Sequence, residues 1–397
     1  MSAALAASET SGVSITIVDD NPRLGGQIWR AELGHTKSAD AQRLIKALET
    51  KRISIVNDAQ VFAASDENRL AAETSDGRTE FEYEKLVIAT GARELFLPFP
   101  GWTLPNVFGA GGLQALVKGG LPVNGKKIVI AGTGPLLMAV AAYLKDKGAD
   151  IVAIAEQAPS AKINKFAIGL WRSPAKAVQA LKLRAKLLGV RYLTGCWITS
   201  CDGTDKLRSV TLTRQGRTFE IECDYVACGF HLIPNTELAL LLGCRLDNGC
   251  VVVDEFQRTT CENIYCAGEP TGIGGVETAL IEGTIAGRAA AGDEEKARRL
   301  FKKRAELSNF ARSMNTTFEL RDELRSLADE ETIICRCEDV SCGRLKEYDS
   351  RRVAKLQTRC GMGACQGRVC GPATKFLFGW KPDNVRPPIF PVRMENL

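Results

Sequence analysis

Two strings near the end of the chain concentrate sulfur, Cys335-Arg-Cys337 and Cys360-Gly-Met-Gly-Ala-Cys365-Gln-Gly-Arg-Val-Cys370. Thiolates are soft ligands, and four of them at short spacing hold either a [2Fe–2S] cluster or a tetrahedral zinc ion. Cys335 and Cys337 supply one pair. Cys365 and Cys370 supply a second, because the glycine between them lets the chain fold back until both sulfurs face one iron. Zinc more often uses a C-x2-C spacing, which this sequence lacks here. The flanking glycines also leave backbone N–H groups free to donate to sulfur, a lever on cluster potential. Cys360 lies close enough in sequence to compete as a ligand, whereas Cys342 reads as packing.

The chain holds 14 cysteines. It shows neither a secretory leader nor the roughly 20 apolar residues of a membrane span, so reduced thiols or metal ligands are expected in a cytoplasmic protein. Cys196/Cys201, Cys223/Cys228, Cys244/Cys250 and Cys261/Cys266 look paired, but their separations place strand side chains on unlike faces. They read as small buried hydrophobes. A formal net charge of +5 from 52 basic and 47 acidic residues is mild. With no basic run interleaved with aromatics, nucleic acid is excluded as the expected partner. Of the two histidines, His35 has no visible partner, and His231 lies where the chain returns toward a cofactor-type strand.

The elements that must position this chemistry alternate in β-α-β fashion. Residues 1–19 read as a small-residue helix, a stop at Gly12, and a strand closed by Asp19, the second half of a dinucleotide-binding unit. The first strand and its G-x-G-x-x-G turn are absent. A start assigned at an internal methionine is the expected reason, since a helix packed on nothing is a poor beginning for a parallel sheet. The apolar run 83–102 reads as a buried strand opening at Thr90-Gly91. Residues 126–156 form a complete unit with Gly132, Gly134 and the terminal acid Glu156, about 20 residues apart as such units require. Leu137 stands where the third glycine is usual. Residues 191–230 read as an antiparallel excursion, and 264–292 as a strand, a glycine turn and a helix whose N-terminus suits a pyrophosphate or flavin. A charged linker follows, mainly a solvated face, and after the cysteine module the proline-stiffened tail reads as an extended arm.

DDNPRLGGQ at 19–27, ATGARE at 89–94 and CAGEPTGIGG at 266–275 resemble the two-dinucleotide-domain flavoproteins that include thioredoxin and glutathione reductases. PFPGWTLPNVFGAGGLQ, AGTGPLL, CRCEDV and GMGACQGRVC narrow the resemblance to the iron–sulfur subunits of heteromeric flavin dehydrogenases. These are the type of the opine oxidase A chain, the hydrogen cyanide synthase B chain and hydroxyproline dehydrogenase. The resemblance implies an α/β fold with two Rossmann-like domains of the pyridine nucleotide-disulfide oxidoreductase type. It implies an FAD-binding domain from 1–121 and 251–292, a second dinucleotide domain at 122–250, a linker at 293–330, and a [2Fe–2S] domain similar to bacterioferritin-associated ferredoxin at 331–397.

By the same resemblance Asp19 holds the FAD ribose, and Gly25, Gly26 and Gln27 line the cofactor. Val61 meets the adenine, Thr90 and Gly91 close the crevice, and Gly268 and Glu269 reach the ribityl chain and pyrophosphate. Cys335, Cys337, Cys365 and Cys370 ligate the cluster. From the turn itself, Gly132, Gly134 and Glu156 either offer a site for NAD(P) or another nucleotide, where a carboxylate favours NADH, or belong to a domain retained as a scaffold, the reading that Leu137 favours. The implied function is oxidation of the C–N bond of an opine or amino acid, with the substrate site on a second flavoprotein subunit. Peripheral contact with the respiratory chain is the membrane relation expected. Two alternatives stand beside it: a self-sufficient NAD(P)H-dependent flavin reductase, and a non-enzymatic electron-transfer or scaffold subunit.

Overall fold

The computed structural model describes residues 1–29, 38–51, 53–66, 68–381 and 385–397, so His35 lies outside the described residues. The chain divides into two compact units. One comprises Met1–Arg93, Ile233–Arg312 and Asn384–Leu397, and the other Glu94–Leu232 and Ser313–Asp383.

In the first unit, strand Ile15–Val18 pairs in parallel with Ile53–Val56, and Leu86–Ile88 pairs in parallel with Ile264–Cys266. A three-stranded antiparallel meander, Gln60–Asp66, Arg69–Thr74 and Gly77–Glu82, forms the excursion between them. Helix Ser2–Ala7 packs against the 15-residue helix Val276–Ala290. The C-terminal tail belongs here: Ile389 N–H donates to Phe62 O at 2.8 Å, and Asn396 Nδ2 donates to Glu73 Oε1 at 2.7 Å. Ile389 is buried in a core with Leu70, Ile88, Val251, Ile264 and Cys266.

The second unit is built on a five-stranded sheet in the order Arg191–Thr194, Asp150–Glu156, Lys127–Gly132, Tyr225–Gly229, Val107–Gly109, every pair parallel. Parallel strands are covered on both faces, which is why KIVIA and DIVAIA are near-continuous apolar runs. Helix Pro135–Asp146 buries Leu137, Val140, Ala141 and Leu144 against Ile128, Ile130 and Ile154. Leu137, at the third-glycine position, is fully buried. The room it needs comes from the neighbouring strand: a Cβ on Gly229 would sit 2.9 Å from Leu137 Cδ2. The close approach normally permitted by a glycine on the helix is thus permitted by one on the sheet.

The cysteine module follows in the same unit. Its core joins Ile334, Cys335, Val340, Leu345, Cys360, Cys370 and Trp380. Trp102 Nε1 donates to Ile333 O at 2.6 Å, tying the PFPGW loop to the strand that ends at Cys335. The division between the units falls within helix Phe301–Thr317, which buries only Ala311 while Phe301 packs on the core of Phe256, Ile285 and Ala297. Among the described residues no helix is long and apolar enough to cross a membrane.

Candidate functional site

Three cysteines converge from three different elements. Cys335 ends strand Ile333–Cys335, and Cys360 follows Arg359, which ends helix Arg351–Thr358 in the left-handed region at φ 64°. Cys370 opens helix Cys370–Phe378. Their Sγ atoms all lie within 4.8 Å of one another, and all three side chains are buried. Cys335 is held far below the ordinary thiol range because the Cys360 and Cys370 thiols and the backbone N–H groups of Gly361 and Glu338 all donate to its sulfur. Cys360 is pushed up to about 12 and Cys370 further, in each case chiefly as proton donor to Cys335.

Cys337 is exposed and lies against the half-buried Cys365. The Cys365 backbone N–H donates to the Cys337 sulfur, while burial and the Cys365 thiol raise its pKa. Gly363 makes this closure possible, since a Cβ there would stand 2.4 Å from Cys337 Cβ. Of the four cysteines expected as ligands, then, Cys335 and Cys370 share one cluster and Cys337 and Cys365 form a neighbouring pair. Cys360 joins the first group. A sulfur-rich donor set with backbone N–H groups already aimed at a thiolate fits an iron–sulfur group.

The residues expected at the cofactor in the first unit lie at or near the ends of strands in two separate pairs, Ile15–Val18 with Ile53–Val56 and Leu86–Ile88 with Ile264–Cys266. Asp19 Oδ1 accepts from Asn21 N at 2.9 Å and from Asn21 Nδ2 at 3.0 Å. Gly25 and Gly26 follow, with Gln27 exposed, and Val61 is half-buried in the meander. Thr90 Oγ1 donates to Asn235 O at 2.5 Å, and Asn235 N–H donates to Gly91 O at 3.0 Å. Glu269 caps the long helix, its Oε1 accepting from Gly275 N at 2.8 Å. Among the described residues its Oε2 is buried without a partner, and burial raises the carboxyl's pKa. An orphaned acceptor at the mouth of a helix N-terminus fits a ligand rich in hydroxyl groups such as FAD.

Sequence reasoning missed the brace beneath this loop. Glu282, 4% exposed, accepts from Gly268 N at 3.0 Å and from Thr271 Oγ1 at 2.9 Å through Oε2, and Arg304 Nε donates to its Oε1 at 3.0 Å. The available signal was a glutamate at the middle of a helix of small residues, with Arg304 in the charged stretch that follows.

The second turn is differently disposed. Glu156 is 0% exposed, and both its oxygens are engaged. Oε1 accepts from Thr133 Oγ1 and Ala158 N, each at 2.9 Å, and Oε2 from Gly134 N at 2.7 Å. Burial pushes its pKa up to about 7 against these three donors. The carboxylate faces inward, so Gly132, Gly134 and Glu156 come together but do not fit a nicotinamide dinucleotide, which needs the acid free for ribose hydroxyls.

Of the remaining cysteines, Cys196, Cys201, Cys223, Cys228, Cys244, Cys266 and Cys342 are buried and Cys250 and Cys261 half-buried; none is disulfide-bonded. Burial lowers the pKa of His231.

Residues 1–283 match the family described as pyridine nucleotide-disulphide oxidoreductase. Hydrogen cyanide synthase subunit HcnB of Pseudomonas protegens is 28% identical over 93% of this chain and 87% of its own. The A chain of opine oxidase from Rhizobium meliloti is 29% identical over 100% of this chain and 85% of its own. Among solved structures, L-proline dehydrogenase from P. horikoshii covers 100% of this chain and 76% of its own with a TM-score of 0.69 at 18% identity. T. acidophilum thioredoxin reductase covers 74% and 94% with a TM-score of 0.55 at 23% identity. These likenesses agree with the expected resemblance and with an α/β fold of this class.

Proposed function

The chain belongs to the pyridine nucleotide-disulphide oxidoreductase family, and we propose that it is the FAD- and [2Fe–2S]-bearing subunit of a heteromeric dehydrogenase that oxidises a C–N bond of an opine or amino acid. The observation that carries this reading is the convergence of Cys335, Cys360 and Cys370, with Cys337 and Cys365 beside them, on a flavoprotein fold. The names of its relatives, subunits of opine oxidase and hydrogen cyanide synthase, support the substrate class and the need for a partner.

In this reading residues 1–121 and 251–292 form the FAD-binding domain, and 331–397 the iron–sulfur domain. Asp19, Gly25, Gly26, Gln27, Val61, Thr90, Gly91, Gly268 and Glu269 hold the flavin. Cys335, Cys337, Cys365 and Cys370 hold the cluster. Bound FAD supplies two-electron acceptance and the cluster one-electron transfer. The chain's own part is to position these groups: Glu282 and Arg304 fix the Gly268 loop, and Glu269 offers its orphan oxygen. The substrate site is assigned to the partner subunit. Exposed Ile168, Trp171, Val178, Leu181 and Leu188 give this chain an apolar surface suited to a protein contact.

Native mass spectrometry of the protein drawn from its host, cofactors retained, tests the reading. A second flavoprotein chain in an assembly holding flavin and iron is expected. A lone chain without either group overturns it. A narrower expectation concerns Glu269→Ala, which should weaken flavin binding by roughly tenfold to a hundredfold, the effect of removing one charge-assisted hydrogen bond of about 1.5–3 kcal/mol, and so lower the flavin retained. Flavin absorbance per chain after desalting is the measurement, and unchanged flavin content would remove Glu269 from the site.

A further inference from the structure

The dinucleotide turn of the second unit has an occupant, and it is part of the same chain. Residues 318–321 pass directly over it. Thr133 Oγ1 stands 3.1 Å from Phe318 O, Gln157 Nε2 donates to Glu319 O at 2.9 Å, and Gln157 Oε1 accepts from Arg321 N at 3.0 Å. The backbone of this short segment is thus read on both its acceptor and its donor sides by the residue that follows Glu156. Phe318, 6% exposed, lies over the turn, its Cβ and Cγ 3.9 Å from where a Cβ on Gly134 would point. Its ring packs edge-on against Phe166 with centroids 5.6 Å apart. Arg321 closes the far side, its guanidinium 3.6 Å from the centre of the Trp197 ring.

A dinucleotide at such a turn needs three things: a free acid for the ribose, N–H groups at the helix start for the pyrophosphate, and open space over the glycines. None is on offer. Both Glu156 oxygens are engaged, Gly134 N–H is taken up by Glu156, and Pro135 at the first helical position has no N–H to give. Phe318 covers the second glycine. Thr133, Glu156, Gln157 and Phe318 are each less than a tenth exposed, so a nucleotide could enter only by expelling the segment.

We infer that this turn takes residues 318–321 of its own chain as a permanent internal ligand in place of NAD(P)H, and that the second dinucleotide domain serves as the dock that anchors the chain leading into the cysteine module. The inference stands apart from the identity of the substrate, and it removes the self-sufficient NAD(P)H-dependent flavin reductase. The geometry explains why the glycine turn and its acid are intact although no nucleotide is read by them: the same backbone curvature and the same carboxylate hold a peptide.

The test is hydrogen exchange followed by mass spectrometry on the full-length protein in its native assembly, with and without NADH or NADPH, alongside calorimetric titration of both nucleotides. Protection of the Arg321 amide is expected in the wild type and unchanged by either nucleotide, with no heat of binding. Gln157→Ala removes the acceptor of that amide and should speed its exchange about fivefold to tenfold, as loss of one hydrogen bond implies, while protection in the Lys127–Gly132 strand reports that the fold is kept. Saturable NADH binding, or faster exchange at 318–321 when NADH is added, would show a displaceable gate and overturn the inference. So would an Arg321 amide that exchanges freely in the wild type.

Discussion

Replacing Cys370 by serine should empty the cysteine module of iron. Cys370 shares the buried 4.8 Å group with Cys335 and Cys360, and its thiol donates to the Cys335 sulfur. A [2Fe–2S] cluster needs four thiolates, and a serine hydroxyl at neutral pH is neither soft nor ionised. Iron and acid-labile sulfide should fall from about two of each per chain toward zero, with loss of the cluster's visible absorbance and of electron delivery to an external acceptor. Cys335→Ser, Cys337→Ser and Cys365→Ser should do the same under the proposed ligand set, and Cys360→Ser should leave the iron in place. The contrast is sharp because Cys360 shares the buried group with Cys335 and Cys370, whereas Cys337 is exposed beside Cys365. If Cys360→Ser loses its iron while Cys337→Ser keeps it, the ligand set is Cys335, Cys360 and Cys370 with a fourth donor, and the proposed set is wrong.

Gly132→Ala should strongly destabilise the second unit. The residue holds φ at 143°, and an added Cβ would lie 2.0 Å from Gly229 O and 2.5 Å from its carbonyl carbon. Both atoms are backbone of the adjacent parallel strand, so no side chain can turn aside to relieve the clash. Strained φ and a forced separation of two central strands together are worth about 3–5 kcal/mol. For a unit of this size that is a fall in Tm of roughly 10 °C or more. Gly134→Ala separates the two causes. Its φ of 92° is equally unfavourable for alanine, but the nearest atoms are Phe318 Cβ and Cγ at 3.9 Å, so only the backbone strain of about 1–2 kcal/mol applies. Thermal unfolding of both variants, followed by circular dichroism, decides: equal losses would mean that contact with Gly229 is not the cause.

Much of this architecture was legible because it is locally encoded. The strand, turn, helix and strand from 126 to 156 could be read from one apolar run, two glycines and one periodic helix, and the structure places Lys127–Gly132, Pro135–Asp146 and Asp150–Glu156 there. Likewise the density of cysteine and glycine from 335 to 370 pointed to a compact thiol-rich group, and Cys335, Cys360 and Cys370 do converge there. What stayed hidden is long-range. The expectation that Glu156 awaits a ribose followed from its position at a strand end, but the atoms that surround it include Thr133, itself bonded across 185 residues of sequence to Phe318 O. Phe318 is a single apolar residue at the end of a charged helix, and no periodicity marks it as a docking residue. Cys360 was hard to place for a related reason. Its inclusion depends on the left-handed turn at Arg359, a conformation that an arginine does not announce. The compensation of Leu137 by Gly229 lies 92 positions apart and is visible only once the strands are neighbours.

The tail's return to the first unit has a consequence for how this protein comes into being. Ile389 seals a core whose other members include Leu70 and Ile88, and its N–H completes the bonding of Phe62. During synthesis those early residues leave the ribosome long before residues 385–397 exist, so the nascent chain carries an unsealed hydrophobic interior until that segment emerges. The core around Leu70 and Ile88 is therefore closed only once the last residues of the chain are available, so native packing of the first unit waits on the completed polypeptide.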